Sequence, residues 1–225
     1  LPKEEHESPM LSLDKTKDRE VLRDFMGEHK TLLSWKLDGL TIVLTYENGE
    51  LAKAVTRGNG IVGEVVTNNA RVFKNVPLKI PYQGRLVLRG EAILTYSDFE
   101  RINESIEDVD AKYKNPRNLC SGSVRQLNNE ITAHRNVRFE WLKEQGFDVV
   151  EYRVVTGATL DEAMEYFSTA ITENDFPSDG LVALYDDIAY GDSLGRTAKF
   201  PRNAFAFKWA DEIRETTLRE IEWSP

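Results

Sequence analysis

Residues 31–57 read as strands with almost no chain between them. Thr31-Leu32-Leu33-Ser34-Trp35 is an apolar, strand-like run that ends at Lys36-Leu37-Asp38-Gly39, and a second run opens at Leu40 and continues to Tyr46. A third, over 51–57, follows across Glu47-Asn48-Gly49-Glu50. Asn-Gly is the strongest short hairpin signal, because both residues tolerate positive φ. Turns this tight favour antiparallel neighbours, since a parallel crossover needs a dozen or more residues.

The rest of the chain mixes short helices with further strands. Val21, Leu22, Phe25 and Met26 recur at helical spacing within 17–29. Helices are also expected over 64–74, 96–106, 115–127 (with Asn115 as cap and Pro116 in the first turn) and 160–171. Strands are expected over 85–94, 148–154, 180–185, 204–209 and 216–223. Hairpins without regular βαβ spacing predict an α+β fold with mainly antiparallel sheets. One junction is anomalous. Val137-Arg138-Phe139-Glu140 reads as a strand and Trp141 to Gly146 as a helix end, yet no Gly, Pro, Asn or Asp lies between them to turn the chain. Residues are expected to be missing between Glu140 and Trp141.

Charge and cysteine content narrow the chemistry. The net charge is −9, which opposes phosphate-driven grip on nucleic acid by this chain alone. The one cysteine, Cys120, forms no internal disulfide, and with three histidines no zinc site is visible. Apolar stretches are strand-sized and the N-terminus lacks an apolar signal core. A cytoplasmic monomer with no membrane segment is expected.

A lysine at a strand end, with an acid two residues on and a glycine after it, suits a buried amine nucleophile, although K-x-D-G alone arises by chance in roughly one chain in twenty of this length. Other segments join it. They are Pro9-Met10-Leu11-Ser12-Leu13, Thr56-Arg57-Gly58-Asn59-Gly60, Leu88-Arg89-Gly90-Glu91, Asn115-Pro116-Arg117-Asn118 with Gly122 to Leu127, Asp179-Gly180-Leu181-Val182 and Ala204 to Lys208. In this order they resemble the adenylation domain of bacterial NAD-dependent DNA ligases, from about His6 onward.

The resemblance implies a nucleotidyltransferase fold over 1–215, with 216–225 beginning the connection to an OB-fold. It implies that Lys36 attacks the α-phosphate of NAD with Mg²⁺ present, then passes AMP to a 5′-phosphate of nicked duplex DNA for sealing. Asp38, Lys208 and Arg57 would assist Lys36. Ser12, Leu13, Ser34, Trp35, Glu91 and Leu184 would surround the nucleotide, and Glu91 and Asp179 would contact the metal. Arg117 and Arg125 stand eight residues apart, about two helical turns, and would share a face toward phosphates.

Departures from the family pattern cluster at the base. Ser34 stands where the family has glutamate and Leu184 where it has lysine, so an acid and a base are absent together and no buried ion is left unpaired. This predicts weaker selection of adenine than in the usual ligase. Asn59 replaces an aspartate of the glycine-rich loop, and the aromatic that stacks on adenine falls in the anomalous junction. The family's N-terminal domain and OB-fold regions are outside this sequence, which predicts poor self-adenylation from NAD and no nick sealing by the chain alone. ATP-dependent relatives carry arginine where this chain has Thr41, which disfavours them. A binding module that has lost its chemistry is the remaining alternative.

Overall fold

The computed structural model describes residues 1–108, 112–120, 128–134 and 139–209. Strands β1 (Lys3–Glu5) and β2 (Lys15–Thr16) precede helix α1 (Arg19–Met26), and then come β3 (Thr31–Leu37), β4 (Leu40–Glu47) and β5 (Glu50–Thr56). Next are β6 (Val62–Glu64), α2 (Thr67–Ala70), β7 (Leu86–Ile93), α3 (Tyr96–Glu104) and α4 (Pro116–Cys120). Then follow β8 (Asn128–His134), α5 (Phe139–Glu144), β9 (Tyr152–Val155), α6 (Leu160–Ala170), β10 (Ser178–Tyr185), α7 (Ile188–Ser193) and β11 (Ala204–Lys208).

The architecture is α+β. One sheet has five strands in the order β2-β11-β10-β3-β9, a second has four in the order β5-β4-β7-β8, and β1 pairs with β6. Among the described residues, every strand pairing is antiparallel except β2 with β11. The expected hairpin is present between β4 and β5, with Asn48 at φ 51° and Gly49 at φ 77°. The preceding turn does something different. β3 and β4 are consecutive but lie in separate sheets, so Asp38-Gly39 carries the chain from one sheet to the other. β3 instead pairs with β10 on one side and β9 on the other.

Strand alternation sorts β3 into two faces. Leu33, Trp35 and Leu37 are buried in the core, with Trp35 edge-on to Phe167 of α6 at 4.7 Å between ring centroids. Leu32, Ser34 and Lys36 point the other way. Helix α1 begins at Asp18, whose carboxylate accepts from Glu20 N–H at 2.8 Å, and it buries Leu22 and Met26.

Several local expectations are corrected. The helix expected over 64–74 is only the single turn α2, because Val62–Glu64 is taken up as a strand by the distant segment Lys3–Glu5. Phe139 and Glu140 belong to the first turn of α5, not to a strand. Phe139 and Leu142 stand three residues apart, are both buried, and so share a helical face. β9 starts at Tyr152, later than expected, in register with Ser34. Of the helix expected over 115–127, α4 supplies Pro116–Cys120. Residues 121–127, with Arg125, and 210–225, with the expected strand 216–223, lie outside the described residues.

Candidate active site

The outward faces of the two sheets form the walls of a cleft. On the first wall, Lys36 of β3 and Lys208 of β11 mark one end. Toward the other end come Ser34 opposite Val182, which pairs with Ala206, and then Leu32 opposite Leu184, which pairs with Ala204. On the second wall the cross-strand pairs are Thr41 with Glu91, Val43 with Arg89 and Thr45 with Val87. A cavity of about 1110 Å³ lies against the far end, lined by Leu32 and Leu184 from one sheet, Val43 and Arg89 from the other, and Leu13 and Trp141.

The charged end is tightly bonded. Lys36 Nζ donates to both oxygens of Asp179, at 2.9 and 3.2 Å. Lys208 Nζ approaches the same carboxylate at 3.4 Å. Asp38 is held by its N–H on the Pro177 carbonyl at 3.0 Å, and its carboxylate meets Arg117 at 3.2 Å. Burial, and then the Asp38 charge, raise the nearby Tyr96 hydroxyl above the usual tyrosine value.

Glu91 accepts from Gly39 N–H at 3.2 Å on one oxygen and from the Thr41 hydroxyl at 2.8 Å on the other. Burial lifts its carboxyl above the usual range, while the Thr41 hydroxyl, Arg89, the Gly39 N–H and Lys36 act in the opposite direction. Burial lowers Arg89; Glu91 opposes that shift and Arg57 reinforces it. Glu91 and Arg89 thus each act on the other across the same face of β7.

Arg57 donates to Ser12 Oγ at 2.8 Å, while its Nε is buried without a hydrogen-bond partner among the described residues. Its N–H bonds the Thr41 carbonyl at 3.0 Å and its carbonyl accepts from His6 Nε2 at 3.0 Å. In the loop that follows, the Asn59 side chain accepts from the N–H groups of Ile61 at 2.9 Å and Val62 at 2.8 Å. Asparagine thus supplies the same acceptor an aspartate would, without its charge.

Residues 1–141 and 136–212 match the model of the NAD-dependent DNA ligase adenylation domain. The chain belongs to that family.

Two similar proteins are the DNA ligase of Lachnoclostridium phytofermentans, 66% identical over 245 aligned positions, and that of Ruminiclostridium cellulolyticum, 61% identical over 246. Both alignments cover 100% of this chain but only 38% and 37% of those proteins. Among solved structures, an archaeal ATP-dependent RNA ligase aligns with a TM-score of 0.53 at 14% identity, over 89% of this chain and 48% of its own. An ATP-dependent DNA ligase from Aquifex aeolicus gives 0.51 at 13%, over 88% and 49%. At these identities the likeness establishes the fold alone, and it is the nucleotidyltransferase fold expected from the sequence.

The alignment of 245 positions exceeds the 225 residues of the chain by 20, so the Lachnoclostridium ligase has at least that many residues with no counterpart here. The two family matches overlap at residues 136–141, which puts the break in the pattern at the anomalous junction. In this chain α5 nonetheless runs unbroken through Glu140 and Trp141.

Among the adenylation-domain residues anticipated from sequence, the structure brings Lys36, Asp179 and Lys208 together and joins Asp38 to Arg117 and Ser12 to Arg57. Ser34 is 6% exposed on the cleft face, and Leu184 and Leu13 line the cavity. Trp35 is a correction. It neighbours Lys36 in sequence and therefore points to the opposite face, where its indole N–H donates to Glu151 at 3.0 Å within the core side of the sheet. Among the described residues, no group of three His, Cys, Asp or Glu side chains is arranged to hold a metal. Sequence reasoning left Arg89 and Thr41 without roles. Alternation along β7 and β4 would have found both, since each shares a face with Glu91.

The raised Glu91 carboxyl makes a prediction. A carboxyl whose folded pKa exceeds its unfolded value disfavours the fold where it is ionised, and that effect disappears as pH falls through the raised value toward the ordinary one near ~4.3. Glu91→Gln should therefore melt higher than the parent at pH 7, by about 2–4 °C for each kcal/mol relieved. The gap should close as pH falls toward 4.5, as read by melting curves across that range.

Proposed function

We propose that Lys36 accepts an adenylyl group in this cleft, and that the chain serves as the adenylation domain of an NAD-dependent DNA ligase. The carrying observation is the convergence of Lys36 and Lys208 on Asp179, beside a wall that presents Glu91 and Arg89. In the reaction the Lys36 Nζ lone pair forms a bond to the α-phosphorus of NAD. The P–O bond to nicotinamide mononucleotide breaks and that group leaves with the electron pair. Two protons leave Nζ: the first, before attack, frees the lone pair of the amine that donates to Asp179 in the resting cleft, and the second leaves once the N–P bond has formed; Asp179 or water takes each.

Around this step the other residues bind and orient. Lys208 and Arg57 are cations for the phosphate oxygens; the Arg57 Nε, buried with no partner among the described residues, is a donor that a bound group could satisfy. Glu91 has acceptor capacity left for ribose hydroxyls. A Mg²⁺ ion usually takes one or two protein carboxylates together with substrate phosphates. Asp179 is the carboxylate that would hold such an ion here, with Glu91 doing so in place of its ribose contact, and the ion would neutralise phosphate charge. In the full-length setting AMP would pass to a DNA 5′-phosphate, with Arg117 and Arg125 toward phosphates and residues 216–225 leading to the OB-fold. Replication and repair of nicked DNA by a cytoplasmic, monomeric enzyme complete this reading. No helix among the described residues is long and apolar enough to cross a membrane.

The test is incubation with Mg²⁺ and either NAD or ATP, followed by peptide mass spectrometry. A small amount of AMP adduct on Lys36 is expected from NAD, since the chain alone should self-adenylate poorly, and no adduct at all after prolonged incubation with an excess of either donor would sink the proposal. A second reading, nucleotide binding without chemistry, is favoured by Leu184 on the cavity wall; it predicts AMP binding with no adduct.

The same wall bears on base choice. Beyond Lys36, strands β3, β10 and β11 present the Ser34 hydroxyl among Val182, Ala206, Leu32, Leu184 and Ala204, and Tyr152 of β9, opposite Ser34, has its hydroxyl bonded to Glu140. One hydrogen bond discriminates by about 1 kcal/mol, so preference for adenosine over guanosine nucleotides should stay within about tenfold. Competition binding with AMP and GMP measures this, and a hundredfold preference would refute it.

A further inference from the structure

We infer that Thr41 is a positioning residue that aims the Glu91 carboxylate at the vicinal hydroxyls of a bound nucleoside; this rests on the nucleotide-binding role given to the cleft. Thr41 and Glu91 face each other as a cross-strand pair of β4 and β7. The Thr41 hydroxyl donates to Glu91 Oε2 at 2.8 Å and the Gly39 N–H to Oε1 at 3.2 Å. Each oxygen of an ionised carboxylate has about two acceptor sites, so with one donor on each among the described residues one site remains on each. Two free acceptors on one rigid carboxylate match a cis-diol. Neither bond alone would suffice, because a carboxylate held at one oxygen still swings about its last torsion, which is broad.

Thr41 suits the task for two reasons. Its branched Cβ restricts χ1, which fixes where the hydroxyl points. Its carbonyl also accepts the Arg57 N–H at 3.0 Å, so the strand that carries the hydroxyl is anchored to the loop that carries the phosphate-facing arginine.

The experiment is calorimetric binding of AMP and 2′,3′-dideoxy-AMP to the parent chain, Thr41→Val and Thr41→Ser. Valine keeps the shape and removes the donor; serine restores it. The parent should prefer AMP, Thr41→Val should lose about tenfold in AMP affinity with little change for the dideoxy analogue, and Thr41→Ser should recover most of the loss. Equal weakening of both ligands in Thr41→Val, or an unchanged preference, would overturn the role of Thr41 while leaving the nucleotide site standing. Failure of the parent to bind AMP at all would overturn the site and this inference with it.

Discussion

Lys36→Ala should fold as the parent does and take up no AMP from either NAD or ATP. The Lys36 side chain is 29% exposed, and its removal leaves Asp179 still beside Lys208 at 3.4 Å. Loss of a partly exposed ion pair costs less than about 1 kcal/mol, so melting should drop by no more than about 4 °C. The chemical loss should be complete, because Lys208, the other described amine at Asp179, stands on β11 with β10 between it and the position of Lys36. Lys36→Arg sharpens the test. Arginine can keep the ion pair, but its guanidinium does not deprotonate in proteins and offers no nucleophile. Intact mass after incubation with each donor reads the outcome. An adduct on Lys36→Ala would move the reaction to another side chain and end the assignment of Lys36.

Gly39→Ala carries the largest expected effect on stability. A Cβ at Gly39 would stand 2.1 Å from the Ala92 carbonyl oxygen and 3.0 Å from Ile93 Cγ2. The first of these is backbone of β7, so relief requires one strand to move away from the other. Overpacking of this kind costs about 1–3 kcal/mol, and the upper end applies where backbone must shift. For a domain of this size that is roughly 6–12 °C in melting temperature. The same displacement pulls the Gly39 N–H from Glu91, so nucleotide affinity should fall with stability. Thermal melts and AMP titration measure both, and a variant melting within about 1 °C of the parent would show that the approach is not rigid.

The local parts of this molecule were legible from sequence because their signals are local. Asn48-Gly49 fixed the β4–β5 hairpin through the φ it allows, and the alternation of Leu33, Trp35 and Leu37 marked a strand buried on one face. The same alternation, followed through, would have turned Trp35 away from the cleft once Lys36 was placed in it. What could not be read is pairing between distant segments. Nothing within residues 31–46 says that β3 and β4 part into separate sheets; that follows from β10, whose Asp179 lies 143 residues from Lys36. β6 was hidden in the same way, since its partner is the first few residues of the chain. At the site, sequence resemblance gathered Lys36, Asp179 and Lys208, and geometry added Thr41 and Arg89. Their parts depend on which neighbour their side chains meet, and no motif records that.

Because Asp38-Gly39 is the short passage by which the chain leaves one sheet for the other, the Lys36 amine sits beside the crossing. If the two walls were to rock apart about it, the displacement would be smallest at Lys36 and would grow toward Leu32 and Val43. Such an opening would widen the cavity that Leu32, Leu184 and Val43 line while Lys36 and Asp179 kept their spacing, much as the spine of a book keeps still when the covers open.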